Sequence, residues 1–128
     1  MGVVILVDTD VLIRHLRGDA QAQDWLLETR GAGEVLAVST VTVAEILGGM
    51  RSGERQDVRR LLDTLPCLPA DQQVGERAGE YRRRFRRSHA AIGIPDYLIA
   101  ATASVHGAPL ATLNVRHFPM FAGLQPPF

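Results

Sequence analysis

The chain contains no lysine: its fourteen basic residues are all arginine, and fourteen acids balance them to zero net charge. That absence excludes Schiff-base chemistry and a Walker-type phosphate loop, both of which need a lysine amine. Cysteine is nearly as scarce, and Cys67 alone builds neither a disulfide framework nor a cysteine-based zinc site. Aromatic residues make up 5%. No apolar run is long enough for a bilayer, since His106, Gly107, Pro109 and Asn114 interrupt the uncharged stretch from Tyr97 to Val115. Asp8 arrives too early for the apolar region of a signal peptide. The expectation is a cytoplasmic protein with no membrane contact. What is present suits one domain over residues 1–128: 46% apolar residues are enough for a core without disulfides or a structural metal. The charge is also uneven, with a net −3 over residues 1–64 and +3 over 65–128.

Hydrophobic patterning predicts alternating strands and helices. Val3 to Val7 is an uninterrupted apolar run ending at Asp8, as expected of a strand buried on both faces. A short helix from Val11 to Arg17 follows, with Asp10 as a possible cap and Gly18 as its stop, and Asp19 opens a second helix to about Arg30. A strand near Val35 to Val38 leads into a helix from Ser39 or Thr40 to Leu47. Val58, Leu61, Leu62 and Leu65 recur at helical spacing before a short strand at Cys67 to Leu68. Val74, Ala78, Tyr81 and Phe85 mark a helix from about Asp71 to His89, Pro95 begins another that ends at Gly107, and Leu110 to Leu113 reads as a strand. The tail after Phe118 is irregular. This order implies α/β architecture with a parallel sheet, helices on both faces and a ligand site beyond the carboxyl ends of the strands.

Acidic residues fall at that edge. Asp8 follows the first strand, Glu45 lies one turn into the helix after the second, and Asp96 opens the Pro95 helix; Asp10, Thr112 and Asn114 join the same rim. Each has a structural reading. Asp8 suits an Asx turn, Asp10 and Asp96 suit helix starts, and Thr42 with Glu45 has the spacing of a capping box. Gathered together, however, the carboxylates repel unless a cation lies between them. All-oxygen donors favour Mg²⁺ or Mn²⁺. Such an ion activates water and steadies in-line attack on a phosphodiester.

Four segments, VDTDVLIRHL, STVTVAEILGG, IPDYLIAATA and LATLNVRHFPMF, occur in an order and at a length that resemble the PIN domain of VapC-type toxins, the ribonucleases of type II toxin–antitoxin modules. The resemblance implies a PIN-like α/β/α sandwich around a mostly parallel five-stranded sheet. It also implies Mg²⁺ or Mn²⁺ held by Asp8, Glu45 and Asp96, with Asn114 assisting catalysis. Thr9, Asp10 and Thr112 are expected at the RNA substrate, and His117 there or in the metal shell, with a structural histidine beside Phe118 as the alternative. His117 occupies the place where the family often has a fourth acid, so one-metal chemistry survives and support for a second ion is removed. The resemblance further implies a homodimer, a transfer or ribosomal RNA substrate and a VapB-type antitoxin whose C-terminal segment covers the site.

Arg77, Arg82, Arg83, Arg84, Arg86 and Arg87 fall within eleven residues that include one acid, Glu80, just after Glu76. That excess suits a clamp on RNA phosphates, and its bland counterpart is a solvated face with Glu80 paired to Arg84. Trp25 suits core or interface more than base stacking. Two other functions compete. DTDVL approximates the Asp-x-Asp of haloacid-dehalogenase-like phosphatases, although their usual lysine is missing and Leu12 is atypical there. A PIN-like module that binds RNA or antitoxin without cutting is the non-enzymatic alternative.

Overall fold

The computed structural model describes residues 2–128. Its chain order is β1 (Val4–Val7), α1 (Thr9–Leu16), α2 (Ala20–Gly31), β2 (Val35–Ser39), α3 (Thr40–Gly49), α4 (Arg55–Asp63), β3 (Cys67–Leu68), α5 (Gln72–Phe85), α6 (Ile94–His106) and β4 (Leu110–Ala111). A single 3₁₀ turn at Val115–His117 follows. All strand pairs are parallel, in the order β3-β2-β1-β4.

β1 is central, and its side chains alternate between two cores. Val7 packs with Val11, Leu12, Leu26, Ile46, Val58 and Leu61 from α1 to α4. Leu6, on the opposite face, joins Ile99, Ala100 and Ala103 of α6. The α/β/α layering expected from sequence is therefore present. Burying a leucine such as Leu6, which is fully enclosed, contributes about 1.5–3 kcal/mol.

Among the described residues the sheet has four strands, not five. After β4 the backbone is diverted: the Leu113 amide donates to Asp10 Oδ2 at 3.1 Å and the Asn114 amide to Thr112 Oγ1 at 3.0 Å. These bonds also end β4 at Ala111 instead of Leu113, and the proline-rich tail beyond Phe118 has no residues in strand conformation. A second correction concerns α1. It starts at Thr9, and its cap is Asp8, whose Oδ1 accepts from the Thr9 amide at 2.8 Å. α5 likewise stops at Phe85, short of His89, as Arg86 to Ser88 form a turn.

α5 and α6 run in the same direction. The chain enters α5 beside the start of α3, where the Ala70 amide donates to Thr40 Oγ1 at 3.2 Å. Tyr81 and Ser104, each about ten residues into its helix, share a hydroxyl hydrogen bond of 2.6 Å. Val74 and Tyr97, near the two starts, belong to one core cluster. Both helices thus begin at the carboxyl edge of the sheet, and residues 86–93 carry the chain back to it. Gly107 takes a left-handed φ of 64° at the far end of α6, a conformation glycine adopts without strain, and turns the chain into β4.

Candidate active site

Three elements bring acids to the carboxyl edge. Asp8 sits between β1 and α1 and is 5% exposed. Its Oδ1 caps α1, and its Oδ2 accepts from the Thr112 hydroxyl at 2.7 Å, across 104 positions of sequence. Burial pushes Asp8 up to about 7, aided by the Asp10 and Asp96 charges and opposed by the hydrogen bonds from Thr112 and the Thr9 amide. Asp10 is also raised, chiefly by burial, although amides near β4 and α1 favour its charged form. One oxygen of Asp10, Oδ1, is buried without a hydrogen-bond partner among the described residues. An unpaired carboxylate oxygen in such a place is costly unless a proton or cation meets it.

Glu45 projects from α3 toward α1, where the Thr9 hydroxyl donates to Glu45 Oε1 at 2.6 Å. The Thr9 and Thr42 hydroxyls are 3.1 Å apart. This arrangement replaces the capping-box reading of Thr42 and Glu45: Ser39 caps α3 through the Val41 amide at 3.1 Å, and Glu45 serves a contact between helices. Asp96, in the first turn of α6, lies 2.7 Å through Oδ2 from Nδ1 of His117. Asn114 is exposed at the end of the β4 segment. Among the described residues no three His, Cys, Asp or Glu side chains are close enough together to grip an ion as they stand. Asp96 is turned to His117 and Glu45 to Thr9, which accounts for the spread.

Of the expected site residues, Asp8, Thr9, Asp10, Glu45 and Thr112 are linked by hydrogen bonds at one edge, and Asp96 with His117 forms a separate pair there. The arginines lie elsewhere. Arg82, Arg83 and Arg84 occupy the last turn of α5, roughly 16 Å along the helix from its start at that edge. Arg86 and Arg87 lie beyond the helix end, and all five are exposed. Among the described residues they form no ion pair; Glu80 meets Arg77 at 3.9 Å and not Arg84. Trp25 packs against the core, its ring centroid 6.3 Å from that of Phe128. Sequence reasoning missed the His117–Asp96 pair and the part Thr42 plays behind Thr9. No local signal announces either, because both join residues distant in sequence.

Residues 5–123 match the family model described as PIN domain. The chain belongs to the PIN-domain family. It is 57% identical to ribonuclease VapC10 of Mycobacterium tuberculosis over 98% of this chain and 93% of that protein. With ribonuclease VapC19 of the same organism it shares 41% identity over 96% of this chain and 98% of the relative. Among solved structures, a toxin–antitoxin complex from Klebsiella pneumoniae superposes with a TM-score of 0.79 at 28% identity, covering 97% of this chain and 98% of that one. FitAcB from Neisseria gonorrhoeae gives a TM-score of 0.68 at 27% identity, covering 89% and 90%.

Proposed function

We propose that this VapC-type PIN protein is a single-domain, cytoplasmic, metal-dependent endoribonuclease, the toxin of a type II toxin–antitoxin pair. One observation carries the reading: Asp8 is buried at the carboxyl edge, where burial first, and then the Asp10 and Asp96 charges, push it up to about 7. The names of its relatives, ribonucleases VapC10 and VapC19, support the same chemistry.

The residues fit a divalent cation. Every donor is a hard oxygen, the carboxylates repel one another, and Asp10 Oδ1 is buried without a partner. Asp8 and Asp96, with Glu45 directly or through water, would hold Mg²⁺ or Mn²⁺. Bound there, the ion supplies Lewis acidity toward the phosphodiester and eases deprotonation of water. The chain's own groups do the rest. Thr112 fixes the Asp8 carboxylate, Thr9 holds Glu45, and the exposed amide of Asn114 orients water or a phosphate oxygen at the rim. Thr9 and Asp10 lie where the substrate enters. Arg82, Arg83, Arg84, Arg86 and Arg87 form a handhold for the RNA backbone away from the cutting edge. Transfer or ribosomal RNA is long enough to reach both.

A VapB-type antitoxin fits the same site, as a cationic partner side chain placed among the acids would replace the ion's charge. Solved neighbours are toxin–antitoxin complexes. The functional unit is proposed to be a homodimer.

The test is cleavage of total RNA by protein freed of its antitoxin. Cutting should require Mg²⁺ or Mn²⁺, stop with EDTA, and vanish in Asp8→Asn and Asp96→Asn while RNA binding persists. Cleavage surviving EDTA and Asp8→Asn would overturn the proposal. RNA binding without any cutting would instead identify a non-catalytic module, and phosphate release from a small monoester would point to a phosphatase.

A further inference from the structure

We propose that the cavity between the end of α3 and α4 is a nucleotide seat, which takes one unpaired nucleotide of the RNA beside the cut; the inference rests on the RNA-cleaving reading above. The cavity measures about 630 Å³ and is lined by Leu47, Met50, Arg55, Gln56, Arg59 and Arg60. Sites for small ligands span roughly 300–1,000 Å³. Its chemistry divides in two. Leu47 and Met50 are partly buried against the core and give it an apolar floor. Arg55 with Arg59, and Gln56 with Arg60, are spaced i, i+4 and form two neighbouring rows along α4. Among the described residues no acid lines it.

The arginines are uncommitted. Among the described residues Arg55 and Arg59 form no ion pair, and Arg60 reaches only Asp57, at 3.9 Å, with both side chains at least 70% exposed. Glu54, the other acid of this segment, is engaged by Arg17 of α1 and by the Arg51 amide. Guanidinium groups pair with phosphate through parallel N–H bonds and stack on base planes. Leucine and methionine give a base apolar contact without choosing among bases. Gln56 brings a donor and an acceptor in one amide, the pair that reads a base edge. An acidic peptide would also satisfy the arginines, but position favours RNA. Met50 is shared with the adjoining crevice that Glu45 lines, and α3 ends about 6 Å along its axis from Glu45. A strand whose phosphodiester lies at the acidic edge can therefore lay a neighbouring nucleotide over the cavity. The α5 arginines sit on the opposite side of the sheet, with the core that α5 shares with α6.

Photocrosslinking of the full chain to a short single-stranded RNA carrying thiouridine, in EDTA so that nothing is cut, tests this directly. Crosslinked peptides should come from the segment joining α3 to α4, Met50 among them. Arg55→Gln together with Arg59→Gln should raise KM for cleavage of the same short RNA roughly 10-fold and leave kcat within about 2-fold, with a salt slope shallower by about 1.4, at about 0.7 per lost contact. Gln56→Leu should erase base preference at one position beside the cut and at no other. All three side chains are exposed, so the variants keep the fold. Crosslinks confined to α5, an unchanged KM in the double variant, or a base preference untouched by Gln56→Leu would each overturn the proposal. So would a double variant that keeps its RNA affinity and instead releases a co-expressed antitoxin, because the cavity would then seat a protein. Cutting by wild type with no crosslink at the cavity sinks only the nucleotide seat. Crosslinking there without cutting under Mn²⁺ keeps the seat and sinks the nuclease reading.

Discussion

The acidic edge of the sheet and the arginine-rich end of α5 each gather charge of one sign, and they are built in opposite ways. The acidic edge is assembled from the β1–α1 junction, α3, α6 and the segment after β4 by hydrogen bonds that span 21 to 104 positions. It is half-buried, and its charges perturb one another. The arginines are consecutive or nearly so in the chain, exposed and without ion pairs among the described residues. The difference suits the work proposed for each region. Chemistry on a phosphodiester needs groups fixed in low-dielectric surroundings before the substrate arrives, whereas grip on a polyanion needs only accessible cations and released counterions. Mutations should therefore act on turnover at one end and on affinity at the other.

The sharpest break is Asp8→Asn. Removing a carboxylate that would hold the cation should lower RNA cleavage at least about 100-fold in single-turnover assays, since losing a group that merely orients a ligand already costs 10–100-fold. RNA affinity, measured by filter binding, should be nearly unchanged. Thr112→Val comes next. It deletes the 2.7 Å bond to Asp8 and should slow cleavage by roughly 10-fold with KM little altered. At the other end, replacing Arg82, Arg84 and Arg86 together with Gln should weaken binding of long RNA by about 10-fold at low salt. The slope of log affinity against log salt should fall by roughly 2, given about 0.7 per lost contact to a single strand. Cleavage of a short RNA that fits the acidic edge alone should be unaffected, and equal losses on short and long RNA would erase the contrast between the regions.

The smallest effect is on stability. Asp8 rises from 3.8 to about 7 on folding and Asp10 rises too. Between about pH 4 and pH 7 the metal-free folded chain holds protons that the unfolded chain has released, so stability falls as pH rises through that window. Melting in EDTA should therefore occur a few degrees lower at pH 8 than at pH 5, and Mn²⁺ should restore the difference at pH 8. Asp19 works in the other direction, held low by the hydrogen bonds of the α2 cap, with its window below pH 4.

Much of this was legible in the amino-acid order. The apolar run before Asp8 predicted a strand buried on both faces; Leu6 and Val7 are buried on opposite faces, whereas Val3 and Val4 at its start are exposed. Pro95 and Asp96 announced the start of α6, and Asp19 the cap of α2, because turns and caps are written in a few adjacent residues. The features that escaped depend on tertiary contact. β4 ends early because its following amides turn to Asp10 and Thr112, which lie together only once the sheet has formed. The fifth strand was implied by family likeness and has no counterpart among the described residues. The arginine stretch was visible, yet its distance from the acids required knowing that α5 and α6 run in the same direction.

The account rests on the acids at the sheet edge sharing one cation, and crystals soaked in Mn²⁺ put that to the most direct test. Anomalous scattering should place a single manganese within coordination distance of both the Asp8 and Asp96 carboxylates. Full soaking with no peak there, or a manganese bound elsewhere while these side chains remain apart, would contradict it.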